Sequence, residues 1–136
     1  MTSKIFYNGN LRTTATHIFS GSTIETDAPL DNQGLAQRFS PTDLVATALG
    51  SCMLTIMGIK ARDMGLNIDG CSCETLKIMS DAPRRIGGIN ILFKFTAGQI
   101  FSEKEQTILK NAAHTCPVHK SLHPDIVVNV VFEWNN

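Results

Sequence analysis

Residues 40–65 read SPTDLVATALGSCMLTIMGIKARDMG, and this stretch decides how the rest of the chain can fold. It opens with three helix-start signals: a serine suited to the N-cap (Ser40), a proline at the first helical position (Pro41) and an acidic residue three positions after the cap (Asp43). Gly65 suits the left-handed conformation that ends many helices. The pattern therefore predicts one helix from Pro41 to the residue before Gly65.

The middle of this predicted helix, residues 44–59, has no charged side chain. Apolar and small residues occur on every face, so the helix must be buried all round. A short chain with few helices has difficulty covering such a helix alone. We therefore expect a long buried central helix in a homodimer. The run is shorter than the ~18–20 apolar residues that a membrane-spanning helix needs, so no membrane is expected as a partner.

Upstream of this helix the sequence predicts strands. Three short segments are rich in threonine, isoleucine and aromatic residues: KIFYNG (4–9), LRTTATHIF (11–19) and STIETD (22–27). Tight hairpin turns are expected at Gly9-Asn10 and Ser20-Gly21. Residues 28–39 are predicted to form a connecting loop.

Downstream, strands are predicted over residues 67–79 and 89–95, with a turn over residues 81–88 between them. The sequence SEKE at 102–105 is a second capping box and opens a helix to about residue 114. Pro117 begins a short helix to residue 122, and residues 126–134 form a last strand. The order βββ-α-ββ-α-α-β predicts an α+β fold in a single domain, residues 1–136, rather than a doubly wound sheet.

Composition narrows the classes of function. The chain has 136 residues, of which 43% are hydrophobic and 18% charged, and its formal net charge is zero. No basic field for nucleic acid is present at that level. The N-terminus, MTSKIFYNGN, lacks the apolar core of a signal peptide, so we expect a cytoplasmic protein with reduced cysteines.

Two of the four cysteines are candidates for chemistry. Cys52 lies inside the uncharged helix, where a free cysteine either fills space or reacts. Cys116 precedes Pro117, and unpaired N–H groups at a helix start are expected to lower its pKa, unless its place there is incidental. Cys71 and Cys73 face the same side of one strand, and a lone CxC is a weak metal signal, so we expect inert packing.

The segment HTCPVHKSLH (114–123) suggests a metal site, because histidine and cysteine are zinc ligands. Its candidate ligands are His114, Cys116, His119 and His123. The alternative is a set of helix-end and surface histidines, since the spacing matches no standard ligand pattern. No glycine-rich phosphate loop and no GxSxG elbow occur in the chain.

The segments FSPTDLVATALGSC (39–52) and CPVHKSL (116–122) resemble the OsmC/Ohr superfamily of thiol-dependent peroxidases. This superfamily comprises osmotically inducible protein C and the organic hydroperoxide resistance proteins. The resemblance covers nearly the whole chain, with both motifs in the expected order of elements. It implies an intertwined α+β homodimer with the long helices at its centre and the active sites at the subunit interface.

The resemblance makes Cys52 the peroxidatic cysteine and Cys116 the resolving cysteine. The implied substrates are organic hydroperoxides, a dithiol is the reductant, and no flavin, haem or metal cofactor is needed. The family supplies an arginine from its first strand region to stabilise the thiolate. Arg12 occupies the matching place, and Arg38 is the nearest alternative.

The start of the helix departs from the best-characterised members, which have Asn-Pro-Glu. This chain has Thr42 after the proline and Asp43 one position later. Asp43 either replaces that glutamate and orients Arg12, or serves only as the acid of the capping box. The sequence thus predicts a cytoplasmic peroxidase of the oxidative stress response. The alternative is a non-enzymatic protein that binds an apolar ligand or senses redox state.

Overall fold

The computed structural model describes residues 1–135 and divides into two compact units, Met1–Val45 and a second unit from Ala46 onward. Two three-stranded sheets and three helices follow the predicted order βββ-α-ββ-α-α-β. The predicted α+β class is confirmed. A short 3-10 turn, Leu30–Asn32, lies within the predicted connecting loop.

The N-terminal unit contains an antiparallel sheet in the order β1-β2-β3. Its strands are β1 (Ser3–Gly9), β2 (Arg12–His17) and β3 (Thr23–Asp27). Asn10 and Leu11 connect the first two strands with φ angles of 51° and 61°. Positive φ at both central residues is typical of the two-residue hairpin turn whose twist matches that of the strands.

The second hairpin differs from the tight turn predicted at Ser20-Gly21. Its loop is longer, because the His17 N–H donates to the Ser22 carbonyl oxygen at 2.8 Å. The longer loop changes which residues face each other across the two strands. Arg12 consequently pairs with Asp27 in the ladder.

The first helix, α1 (Pro41–Asp63), begins where the capping pattern predicts. The Ser40 N–H donates to Asp43 Oδ2 at 2.8 Å, and the Asp43 N–H donates to Ser40 Oγ at 3.0 Å. These reciprocal bonds satisfy two of the N–H groups that a helix start leaves unpaired. Gly65 follows the helix with φ +70°, the conformation expected of a C-terminal glycine cap.

Within the single chain α1 buries one face rather than its whole circumference. The buried positions recur mostly every three or four residues, as on one side of an amphipathic helix: Ala46, Leu49, Gly50, Met53, Met57 and Ala61. The expected burial on every face includes cover from a second copy of the chain, so it stays a prediction. Of the helices within residues 1–135, α1 alone is long and apolar enough to cross a membrane, a criterion that core helices of soluble proteins also meet.

The C-terminal unit contains a sheet in the order β4-β5-β6. Its strands are β4 (Ser72–Asp81), β5 (Arg84–Lys94) and β6 (Val127–Glu133). β4 pairs with β5 antiparallel, and β6 pairs with β5 in parallel. A parallel pair needs a long crossover, which here contains α2 (Glu103–Ala113) and α3 (Pro117–Ser121).

The turn predicted over residues 81–88 is wrong. Asp81 pairs directly with Arg84, so both strands extend into that segment. Gly88 lies inside β5, and a Cβ there would lie 3.3 Å from the Val127 carbonyl oxygen. The glycine therefore permits close approach of a neighbouring strand rather than marking a turn.

The core of the C-terminal unit joins α1, β5 and the crossover. Its fully buried side chains include Leu49, Met53, Met57, Ile89, Ile91, Phe93, Leu109 and Cys116. A reciprocal capping box between Ser102 and Glu105 opens α2 as predicted. Because Cys116 belongs to this core, the packing that holds α1 also holds the start of α3.

Candidate active site

Cys52 and Cys116 meet in the C-terminal unit. Cys52 lies near the middle of α1 and is partly accessible, whereas Cys116 is the N-cap of α3 and is 0% exposed. Their side chains lie close enough for Cys52 to influence the Cys116 thiol directly. Nearby thiols are candidates for a disulfide, which cysteines with distant Cα atoms cannot form without backbone movement. The structure therefore brings together the two cysteines that the sequence singles out.

The Cys116 thiol is held in its protonated form. Burial raises its pKa, the His119 N–H at 3.2 Å from Sγ acts in the opposite direction, and the interaction with Cys52 raises the pKa further. The expectation that the helix start lowers this pKa is wrong, because desolvation of a fully buried sulfur outweighs the cap. Cys116 consequently loses its proton less readily than an exposed cysteine does.

Arg12 forms a two-point ion pair in the N-terminal unit. Its Nε donates to Asp27 Oδ1 at 2.7 Å and its Nη2 to Oδ2 at 2.9 Å, while Nη2 also donates to Gln37 Oε1 at 2.9 Å. The hydrogen bond from Arg12 lowers the pKa of Asp27 despite burial, so the carboxylate stays ionised. Such bidentate geometry fixes the guanidinium plane. Arg38, the alternative cation, instead pairs with Glu25 at 2.8 Å on the exposed surface.

The carboxylate that pairs with Arg12 in the sheet is Asp27. Asp43 accepts the Ser40 N–H at the start of α1, which favours the capping alternative, and a role of Asp43 in orienting Arg12 stays a prediction. An acid at the third helical position reaches back to the backbone of its own N-cap. Asp27, by contrast, stands opposite Arg12 in the sheet.

Replacement of Asp43 by alanine tests this assignment. We expect Asp43→Ala to lower the free energy of unfolding by about 1 kcal/mol, because it removes the capping partner of α1. Thermal unfolding provides the measurement, and Glu105→Ala in the capping box of α2 is the matched control, which should show a loss of similar size. An unchanged free energy of unfolding in Asp43→Ala would contradict the capping role.

Asp27 and Gln37 are the residues of this cluster that sequence reasoning missed. A two-residue turn at Ser20-Gly21 places Arg12 opposite Pro29. The observed loop shifts the pairing by two positions and brings Asp27 opposite Arg12. The available signal was the lone aspartate at the end of the third predicted strand, and only the hairpin register identifies its partner.

The histidines near Cys116 do not converge on one point. Within residues 1–135, no group of three or more histidine, cysteine or acidic side chains could hold a metal ion. His119 Nδ1 lies 3.3 Å from the His114 carbonyl oxygen, and His123 Nδ1 lies 3.6 Å from Asp125 Oδ2. The zinc alternative at His114, Cys116, His119 and His123 therefore finds no support in the described part of the chain.

Cys71 and Cys73 have the properties of unreactive thiols. Both are half-buried, and burial raises the pKa of each to about 11. The neighbouring Cys73 raises the pKa of Cys71 further, and Glu74 has the same effect on Cys73. Thiols with such pKa values are almost fully protonated near neutral pH and are poor nucleophiles. These properties favour the expected packing role.

The sequence matches one known protein family. The sequence profile of the OsmC family, described as OsmC-like protein, matches residues 33–131, which is more than half of the chain. A search of curated proteins found no match.

Several solved structures share the fold, and three of them illustrate the range of similarity. A candidate osmotic stress induced and detoxification response protein from Psychrobacter arcticus is 52% identical, with a TM-score of 0.93 over 98% of this chain and 96% of that chain. The organic hydroperoxide resistance protein OsmC of Legionella pneumophila is 14% identical, with a TM-score of 0.77 over 98% of each chain. OhrB, an organic hydroperoxide resistance protein of Bacillus subtilis, is 17% identical, with a TM-score of 0.66 over 98% of each chain. The last two similarities establish the fold alone.

Proposed function

Because the chain belongs to the OsmC family of OsmC-like proteins, we propose that it is a thiol peroxidase that reduces organic hydroperoxides. The observation that carries this proposal is the contact between Cys52 and Cys116. The names of the relatives, two for organic hydroperoxide resistance and one for osmotic stress and detoxification, support a peroxide-related stress role. The proposed location is the cytoplasm, where the thiols stay reduced between turnovers.

In the first step the Cys52 thiolate attacks the terminal oxygen of the hydroperoxide. A sulfur–oxygen bond forms and the oxygen–oxygen bond breaks, so the thiolate is oxidised to a sulfenic acid. The departing alkoxide takes up a proton and leaves as the alcohol. An apolar site favours organic hydroperoxides over hydrogen peroxide, because it can bury the alkyl group.

In the second step Cys116 resolves the sulfenic acid. Its sulfur bonds to the Cys52 sulfur, the sulfur–oxygen bond breaks, and hydroxide leaves as water with the Cys116 proton. A dithiol then reduces the disulfide by two thiol exchanges and is itself oxidised. These steps involve only cysteine sulfur, peroxide and dithiol, and require no flavin, haem or metal.

Arg12 supplies the positive charge in this mechanism. The resemblance to the family implies an arginine from the first strand region in this role, and the Arg12 guanidinium at the matching place is held in one orientation by Asp27 and Gln37. We assign to Arg12 the stabilisation of the Cys52 thiolate and of the charge that develops on the departing oxygen. Asp27 is a positioning residue that acts through Arg12.

The active unit is proposed to be a homodimer. Large apolar side chains of the N-terminal strands stay exposed in one chain, among them Phe6 at 54% and Tyr7 at 68%. The open side of α1 carries further uncovered residues, such as Ile59 at 43%. Apolar surface on this scale favours association, and a second copy that covers α1 completes the burial that its sequence predicts.

Thiol counting tests the proposal directly. One equivalent of cumene hydroperoxide, added anaerobically to the reduced protein, should remove two of the four thiols. Peptide mapping should then join Cys52 to Cys116. Cys71→Ala is the matched control, and it should lose the same pair. Retention of all thiols would contradict the peroxidase and support a protein that binds an apolar ligand without chemistry.

A further inference from the structure

Gly50 is a point of close approach between α1 and β4. It is buried, and a Cβ built on it would lie 2.7 Å from Cys73 Sγ and 2.8 Å from Thr75 Cγ2. Ordinary contact begins at 3.4 Å, so a methyl group would stand about 0.7 Å too close to the sulfur. The corresponding position at Gly58 of the same helix has nothing within 4 Å. The tight approach is therefore specific to Gly50.

This contact lies on the side of α1 opposite to the thiol pair. An α-helix has about 3.6 residues per turn, so side chains two positions apart point about 200° away from each other. Gly50 faces Cys73 and Thr75, and Cys52, two residues later, contacts Cys116. A displacement of α1 away from β4 at Gly50 therefore changes the separation of the two reactive sulfurs.

The side chains of β4 that face Gly50, Cys73 and Thr75, have little room to move away from the helix. Thr75 is β-branched and has restricted χ1 freedom, and it pairs with the buried Ile91 in the ladder. Cys73 pairs with Phe93, which is fully buried. Because close-packed cores transmit strain rather than absorb it, an added methyl group would displace α1.

We propose that Gly50 is a positioning residue that sets the distance between the Cys52 and Cys116 sulfurs, with Cys73 and Thr75 as the surface on which α1 rests. The inference rests on the proposed function only in assigning Cys52 and Cys116 as the redox pair. Disulfide formation requires a narrow geometry. A misplacement near 1 Å can cost about 100-fold in the rate of a positioned reaction.

The experiment measures closure of the Cys52–Cys116 disulfide in a double-mutant cycle. Gly50→Ala is made in the native background and in a relieved background that carries Cys73→Ala and Thr75→Ser. Gly58→Ala is the matched control for a methyl group added to α1. Diamide drives closure, mass spectrometry quantifies the Cys52–Cys116 peptide, and light scattering verifies that all variants have the same mass.

In the native background we expect Gly50→Ala to slow closure about tenfold or more. Gly58→Ala should close at the native rate. In the relieved background, the addition of Gly50→Ala should change the rate by less than about twofold, because the atoms that it meets are absent.

An equal slowing in both backgrounds, or native closure in Gly50→Ala, would overturn the proposal. If Gly50→Ala alone does not fold, the variant with all three substitutions decides. Folding with near-native closure supports the role of Gly50, whereas slow closure or failure to fold contradicts it. Diamide requires no peroxide, so a wild-type protein that closes with diamide but ignores peroxide contradicts the proposed function alone.

Discussion

Replacement of Cys52 by serine should lower cumene hydroperoxide consumption by about 1,000-fold or more. A serine hydroxyl does not ionise near neutral pH and cannot accept the peroxide oxygen as a thiolate does. The rate is measured by loss of peroxide in the presence of excess dithiothreitol. Cys71→Ser, whose thiol has a pKa raised to about 11 in the native protein, is the control and should consume peroxide normally.

Cys116→Ser distinguishes the two cysteines within the same experiment. The first turnover should proceed, because Cys52 is intact, but the sulfenic acid then has no internal partner. Dimedone should trap that sulfenic acid in Cys116→Ser and trap little of it in the wild-type protein. If Cys52→Ser consumes peroxide as fast as the wild type, the peroxidase proposal is wrong.

Replacement of Arg12 by methionine should lower the second-order rate constant with cumene hydroperoxide by about 100-fold, the scale on which one fixed electrostatic donor acts. Stopped-flow measurement of the rate constant tests this expectation. Arg38→Met, which breaks the exposed pair with Glu25, is the matched control and should leave the rate constant unchanged.

Asp27→Asn should also lower the second-order rate constant, but by less than Arg12→Met does. The substitution loosens the hold on the Arg12 guanidinium without removing it. The pKa of Asp27 is lowered from its ordinary value of 3.8, chiefly by the hydrogen bond from Arg12. The ion pair between Arg12 and Asp27 is therefore fully present at pH values above 3.8. It is lost as the pH falls through the lower pKa that Asp27 has in the folded protein. A native rate constant in Arg12→Met would remove Arg12 from the mechanism.

Features with local chemical causes could be predicted from the sequence. The start of α1 follows from Ser40, Pro41 and Asp43, and the start of α2 follows from a second capping box. The order of strands and helices follows from the helix-start signals, the turn residues and the segments rich in threonine, isoleucine and aromatic side chains. The pairing of Cys52 with Cys116 came from resemblance, because spacing along a chain does not determine which buried side chains meet.

Features that depend on register or on long-range burial could not be predicted in the same way. The residue opposite Arg12 depends on the length of one hairpin loop. A loop two residues longer than the predicted turn places Asp27, and not Pro29, opposite Arg12. The pKa of Cys116 depends on how completely the core covers its sulfur, which outweighs the local effect of the helix start. Both outcomes require the assembled structure.

The parallel pairing of β6 with β5 also determines when the thiol pair comes into existence. β6 is the last strand in chain order, and its pairing closes a loop that contains α2 and α3. Closure of this long loop is slow, because the chain loses conformational entropy before the stabilising contacts of the strand pair form. During synthesis, Cys52 therefore emerges on α1 well before Cys116 can be seated beside it. The same topology that brings the two cysteines together in the folded protein therefore keeps them apart in the nascent chain.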